Sequence, residues 1–154
     1  MSNLDLVHRG IGGILNQADY KIADEIFTPD FVFHTPAREE PFRGPAGFKE
    51  YVSTIRSAFP DIRFTVEDSF EAPGDKAVAR WSATLTHLGE FFGIPPTRKK
   101  ATLRGIHIYQ CRDGRIAEEW QELDALNLMR QLGALPNAEK IPKPVLKLLL
   151  KFGG

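Results

Sequence analysis

Phe59-Pro60-Asp61-Ile62-Arg63-Phe64-Thr65-Val66-Glu67-Asp68-Ser69-Phe70, residues 59–70, is where the chain changes its hydrophobic period. Upstream, Phe48, Tyr51, Val52, Ile55 and Phe59 recur at helical spacing behind Pro45, which suits the first turn of a helix, and Pro60 stops the run. Downstream the period is two. Ile62, Phe64, Val66, Asp68 and Phe70 share one parity, with Arg63, Thr65, Glu67 and Ser69 on the other, as in a half-buried strand. The turn Ala72-Pro73-Gly74-Asp75 leads to a second strand, with Ala79, Trp81, Ala83, Leu85 and His87 on one side. The loop GEFFGIPPTRKK, residues 89–100, precedes a third strand over about 101–111, and Asp113-Gly114 turns the chain into a fourth over 115–123. Asp124 is placed to cap a last helix carrying Leu126, Leu128, Met129 and Leu132, which Gly133 ends.

Toward the N-terminus, Leu4, Val7, Ile11, Ile14 and Leu15 form one helical stripe, weakened from within by Gly10, Gly12 and Gly13. A second short helix is expected over about 18–27, an extended segment over Phe31–Thr35, and a loop over residues 36–45. Helices come first and antiparallel strands follow without alternating βαβ units. The class is α+β, with helices packed on one face of a curved sheet.

The 154 residues suit one domain, expected over 1–136 and followed by a tail over 137–154. Twenty Lys and Arg balance twenty Asp and Glu, which leaves no electrostatic footprint for nucleic acid. The single Cys excludes an internal disulfide and a Cys-based metal site. No apolar run reaches the roughly 18 residues a bilayer span needs, and MSNLDLVHRG lacks the regions of a signal peptide, so a cytoplasmic protein is expected. In the tail, Lys143, Lys147 and Lys151 line one helical face, with Val145, Leu146, Leu148, Leu149, Leu150 and Phe152 around the rest. It is expected to dock on its own domain or a partner subunit, a membrane surface being the alternative, with weak binding for so short a helix.

Several motifs are set aside. Gly10-Ile11-Gly12-Gly13 lies inside a helical pattern with no strand before it, and reads as a close helix contact rather than a dinucleotide loop. Residues 43–49 lack P-loop spacing, and no Gly-x-Ser-x-Gly is present. His8, His34, His87 and His107 show no ligand spacing, so no metal site is expected.

Four polar groups stand among apolar neighbours: His34 after Phe31-Val32-Phe33, Asp68 with Phe64 and Phe70, His87 with Trp81 and Leu85, and His107 with Leu103 and Tyr109. A titratable group in an apolar cavity has its charged form desolvated, which suits it to proton transfer. Singly, each also reads as a hydrogen-bonded core residue or a solvated strand end. The turn at Asp113-Gly114 allows two registers. A two-residue hairpin pairs Arg112 with Arg115 and puts His107 on a face with Trp120. A bulged turn pairs Cys111 with Arg115 and puts His107 with Glu119 and Gln121.

Thr86-His87-Leu88-Gly89-Glu90-Phe91-Phe92-Gly93-Ile94-Pro95-Pro96-Thr97, then Asp113-Gly114-Arg115-Ile116, Glu119-Trp120, Asp124 and Gln131-Leu132-Gly133, together with Ala58–Ile62 and Phe31–His34, resemble the SnoaL-like polyketide cyclase family over roughly residues 3–134. The resemblance implies an NTF2-like cone of three helices on a bent antiparallel sheet, enclosing a hydrophobic pocket and usually forming a homodimer. It also implies cofactor-free, metal-free aldol cyclisation of a polyketide, with an Asp directly after the Trp of the last strand as acid/base and a His beside it. His107 matches that His, which favours the bulged turn, but Gln121 stands at the Asp position. Arg98 also departs, where a Gly is usual.

An amide only donates and accepts hydrogen bonds, so another group must take the proton. His107, His34 and Asp68 are the candidates, with Glu119 on the face of Gln121; Asp124 reads as the helix cap. Phe33, Phe59, Trp81, His87, Phe91, Phe92, Tyr109 and Glu119 would line or close the pocket around a hydrophobic small molecule. The alternatives are a binding protein for a lipophilic ligand, an isomerase, dehydratase or hydrolase on the same fold, or an interaction module with a filled core.

Overall fold

Caps and glycines shape the helices that precede the period change. The computed structural model describes residues 1–135 and 142–151. In it, helix α1 (Asn3–Arg9) opens on a capping box: Ser2 Oγ accepts from the Asp5 amide at 3.1 Å, and Asp5 Oδ2 accepts from the Ser2 amide at 2.8 Å. The chain runs on as a π-helical segment, Gly10–Asn16, with Ile11, Ile14 and Leu15 buried. The glycines allow the close helix contact expected, since a Cβ at Gly13 would overlap Ile22 Cδ1. Ala18 turns into the left-handed region at φ 56°, so α2 begins later than the pattern suggested, at Lys21–Ile26. Helix α3 (Gly44–Ala58) carries Pro45 in its first turn and buries Phe48, Tyr51 and Val52.

The strands are β1 (Phe27–His34), β2 (Phe42–Arg43), β3 (Arg63–Ala72), β4 (Lys76–Thr86), β5 (Lys100–Arg112) and β6 (Arg115–Leu123). They form one curved sheet in the order β2-β1-β6-β5-β4-β3. Neighbours are antiparallel at every seam but one: β1 runs parallel to β6, with Phe33 beside Glu119 and His34 beside Trp120. The three N-terminal helices cover the inner face, where Phe31, Phe33, Ala79, Trp81 and Tyr109 join Leu6, Val7, Phe48 and Val52 in one core. This is the α+β, NTF2-like cone that the resemblance implied.

Two one-residue bulges decide which side chains face inward. In β3, Val66 pairs with Trp81 but Asp68 pairs with Arg80, so Glu67 is the extra residue and the parity flips after it. Asp68 is therefore exposed on the outer face, and Phe70 beyond it is 50% exposed, against the expectation that both share the face of Phe64. In β6 the turn itself is the two-residue hairpin: Arg112 pairs with Arg115, and Asp113 and Gly114 have φ of 52° and 73°, as a type I′ turn requires. Cys111 then pairs with Ile116, but Gln110 pairs with Glu118, so Ala117 is the extra residue. Beyond it His107 faces Gln121 and Tyr109 faces Glu119, the register of the other alternative. The turn and the facing belong to different readings, and a bulge two residues past the turn reconciles them.

Helix α4 (Ala125–Gln131) starts on Asp124, whose Oδ1 accepts from the Asn127 amide at 3.1 Å, and Gly133 ends it at φ 78°. The Gln131 side chain pins it to β5, donating to Thr102 O at 2.8 Å and accepting from Thr102 N at 2.9 Å. Helix α5 (Lys143–Lys151) leaves Val145, Leu148 and Leu150 exposed. The expected boundary at 136/137 lies outside the described residues, as do 137–141 and 152–154 of the tail. Among the described residues no helix is long and apolar enough to cross a membrane.

Candidate functional site

The cone encloses a cavity of about 250 Å³ between α3, the inner face of the sheet, the loop after β4 and α4. Phe59, Phe64, Trp81, Phe91, Phe92 and Leu103 supply apolar wall, with Leu128 and Met129 from α4. Among the described lining residues the polar side chains are Thr35, Tyr51 and Gln121. A wider groove bordered by Arg80, Arg104, Glu67 and Glu122 lies on the opposite, solvent-facing side of the sheet, away from these groups.

Gln121 is 3% exposed and every link it makes has a direction. Its Oε1 accepts from Thr35 Oγ1 at 2.8 Å and from the Tyr51 hydroxyl at 3.0 Å. Its Nε2 lies 3.0 Å from His107 Nε2. An amide nitrogen can only donate, so His107 Nε2 accepts and the imidazole carries its proton on Nδ1. That nitrogen is 2.7 Å from Glu119 Oε1 and 3.0 Å from the Tyr109 hydroxyl. The result is a buried array, Glu119–His107–Gln121, that reaches the cavity only through the amide.

Burial pushes the Tyr51 hydroxyl up to about 12; the hydrogen bond to Gln121 opposes the shift and the charge of Glu119 adds to it. Tyr109 is raised well above the ordinary phenol value by burial first, then by the charges of Glu119 and Cys111. Both phenols are thus neutral hydrogen-bonding groups across the physiological range.

The residues expected from sequence divide. His107, Gln121 and Glu119 come together, with Tyr109 hydrogen-bonded to His107 behind the cavity wall rather than lining it. Phe59, Trp81, Phe91 and Phe92 line the cavity. Phe33 is core, packed on Tyr51 at 4.8 Å and Phe48 at 5.2 Å. His34 does not enter: it shares the parity of Val32, not of buried Phe31 and Phe33, and is half-buried on the outer face. There it meets Glu118 at 2.8 Å and stacks on Trp120 at 5.5 Å. Asp68 is outside because of the bulge at Glu67. His87 is fully buried beside Phe59 and ties down the loop: its Nδ1 accepts from the Thr97 amide at 3.2 Å, its backbone amide donates to Lys99 O at 3.0 Å, and its carbonyl accepts from the Arg98 amide at 2.9 Å. Thr35 and Tyr51 were not anticipated. A phenol on the apolar stripe of α3 was the available signal, since a buried Tyr hydroxyl must find a partner.

Comparison with known proteins agrees with this geometry. The family profile of SnoaL-like polyketide cyclases matches residues 6–132. The chain is 26% identical over 136 residues to aklanonic acid methyl ester cyclase DnrD of Streptomyces peucetius, covering 86% of this chain and 91% of that one. It is also 26% identical over 110 residues to the nogalonic acid methyl ester cyclase of Streptomyces nogalater, covering 71% and 82%. The crystal structure of wild-type IdmH from Streptomyces antibioticus superposes with a TM-score of 0.76 at 30% identity, covering 86% and 99%. Matched over most of its length by profile, sequence and fold, the chain belongs to the SnoaL-like polyketide cyclase family.

Proposed function

We propose that the protein is a cytoplasmic, homodimeric cyclase-type enzyme that closes a ring in an uncharged, largely apolar polyketide by acid/base chemistry of its own side chains. The carrying observation is the placement of Gln121: on the cavity wall, with His107 3.0 Å behind its amide nitrogen. An amide has two N–H donors, and His107 occupies one. The second is available to a substrate carbonyl oxygen in a cavity whose walls otherwise favour apolar rings. In an intramolecular aldol closure, that oxygen draws the amide away from His107 and exposes the Nε2 lone pair. His107 takes the proton from the carbon next to the carbonyl, and the electron pair left behind becomes the enolate. The enolate carbon forms the new bond to a second carbonyl carbon of the same molecule. The alkoxide so produced takes the proton back from His107. Nothing is lost from the substrate, so product and substrate have equal mass.

The homodimer would use the outer face of the sheet, where Ile106, Ile108 and Trp120 are 47%, 44% and 36% exposed. Large side chains in a row on one sheet face mark an interface more often than scattered ones.

A second reading, a binding protein for a lipophilic ligand, is favoured by one fact: among the described residues lining the cavity there is no carboxylate or imidazole. Aklanonic and nogalonic acid methyl esters, the compounds in the names of the two relatives, separate the readings. Chromatographic conversion at unchanged mass, lost in His107→Ala, supports the enzyme. Tight binding without conversion supports the carrier, and neither binding nor conversion removes both for these compounds.

A further inference from the structure

We propose that Glu119 is a positioning residue: it sets the tautomer of His107 and, through His107, the direction in which Gln121 presents its amide to the cavity. The inference rests on the reading of His107 as the proton acceptor, but its test does not.

Glu119 is 2% exposed and His107 1%, and their facing atoms are 2.7 Å apart. A carboxyl group is seldom buried unless something holds it, and the imidazole Nδ1–H does so here. The chain of hydrogen bonds then has one polarity. Nδ1–H donates to Glu119, Nε2 accepts from Gln121, and Gln121 Oε1 accepts from Thr35 and Tyr51. If the imidazole proton moved to Nε2, it would meet the amide N–H head on. Gln121 would have to turn over and offer its oxygen to His107 instead of its N–H to the cavity.

The imidazole has little room to escape by rotating. Trp81 meets it edge-on at 5.5 Å and 83°, and Phe33 stands 6.4 Å away. When Nε2 takes a proton from the substrate, positive charge develops on the ring, and Glu119 is already aligned on the far side. An interaction that strengthens as charge develops lowers the barrier rather than merely tightening binding. Glu119 need not accept the Nδ1 proton to do this; orientation and charge are sufficient, as for the aspartate of a serine-protease triad.

Nuclear magnetic resonance of the full chain labelled with nitrogen-15 at histidine tests this without any substrate. The wild type is expected to show His107 protonated on Nδ1 with a free lone pair on Nε2. Glu119→Leu removes the charged acceptor and leaves only the Tyr109 hydroxyl at Nδ1, so the Nε2–H tautomer is expected to gain population and the two ring resonances to move toward each other. Glu119→Gln keeps an acceptor oxygen but not the charge. It is expected to hold the wild-type tautomer while kcat, measured on whichever ester is turned over, falls about 10²-fold with KM little changed, the low end of what positioned proton-handling groups contribute. A wild-type His107 protonated on Nε2, or on both nitrogens at neutral pH, overturns the proposal, as does a Glu119→Leu protein that keeps the wild-type tautomer. The wild-type spectrum alone can overturn the proposal, the comparison of Glu119→Gln with Glu119→Leu assigns the tautomer to Glu119, and a failed cyclase assay leaves both untouched.

Discussion

Replacing Gly105 by Ala tests the wall on which the site is built. Gly105 lies directly across from Trp81 in the β4–β5 ladder, and the indole crosses over it. An added Cβ would overlap Trp81 Cζ2 and approach Cε2 and the Glu122 carbonyl oxygen to 2.8 Å each. Neither neighbour can give way cheaply. Trp81 is 2% exposed and wedged between Phe64 at 4.9 Å and His107 at 5.5 Å, and Glu122 O belongs to the backbone of β6. Overpacking a filled core costs about 1–3 kcal/mol. Removing a glycine from the unfolded chain returns about 0.4–1 kcal/mol. With one of the contacts on backbone, a net loss of about 1–2 kcal/mol is expected. For a chain of this size each kcal/mol is worth about 2–4 °C, so the melting midpoint should fall by about 2–8 °C. Gly12→Ala is the matched control, because nothing lies within 4 Å of the Cβ it would add. Its midpoint should stay level or rise, since alanine is the better helix former. The assay is a thermal melt followed by circular dichroism. A Gly105→Ala midpoint at or above the wild type would refute the crossing of the indole over β5, and with it the placement of Trp81 beside His107.

The acid limb of stability should depend on Asp61. Hydrogen bonds from the Thr86 hydroxyl at 2.6 Å and amide at 2.7 Å hold its carboxyl below the usual range, the hydroxyl contributing most. A depressed folded value contributes stability that is present above the ordinary aspartate range and lost as pH falls through the folded value. Asp61→Asn should therefore be less stable than wild type in urea near neutral pH, with the gap closing well below the aspartate range; a constant gap would show that charge is not its source. Deleting Ala117 should turn the bulge into a regular ladder, with Ile116 still opposite Cys111 and Glu118 still opposite Gln110, so Glu119 and Gln121 keep facing inward; a protein that loses its cooperative melt would contradict Ala117 as the extra residue. A chain ending at Asn137 should keep the melting midpoint, because Val145, Leu148 and Leu150 are already exposed. It should also float with liposomes no differently from the full chain; a loss of flotation would mark the tail as a surface anchor.

What was legible in the sequence was whatever depends on period and punctuation. The switch at Pro60, the limits of β5 and β6, the Asp124 cap and the helix through Phe48, Tyr51 and Val52 all follow from local chemistry, and the structure has each of them. By contrast, β1 begins at Phe27, four residues before the expected segment, and Phe42–Arg43 pairs as β2 inside the expected loop. What was not legible depends on single residues that add no pattern of their own. Glu67 and Ala117 each shift a strand by one, and neither is a glycine or proline that would advertise a bulge. The misplacement of His34 has a different origin. Its apolar neighbours suggested a cavity, but alternation along β1 puts it with Val32, and the half-buried Glu118 and the exposed Trp120 were there to receive it. Thr35 and Tyr51 escaped because their common partner lies 86 and 70 residues away, beyond the reach of any local rule.

Gln121 therefore has a consequence that its position in the family pattern does not convey. Taken alone, an amide in place of a carboxylate is a lost base. Set in its surroundings, it is held at three points by groups that suit an amide and would not all suit a carboxylate. Thr35 and Tyr51 donate to the oxygen, while His107 Nε2 requires a donor and receives one. A carboxylate there could satisfy His107 only if Nε2 carried a proton: the neutral Nε2–H ring would leave the Glu119 carboxylate facing a bare Nδ1 across 2.7 Å, and only a ring protonated on both nitrogens would donate to both carboxylates. Glu119 and Gln121 are therefore matched through the ring between them. Restoring the family's Asp by Gln121→Asp alone should put His107 between two carboxylates and favour the doubly protonated ring, so it would regain a carboxylate while removing the free Nε2 lone pair that the amide preserves.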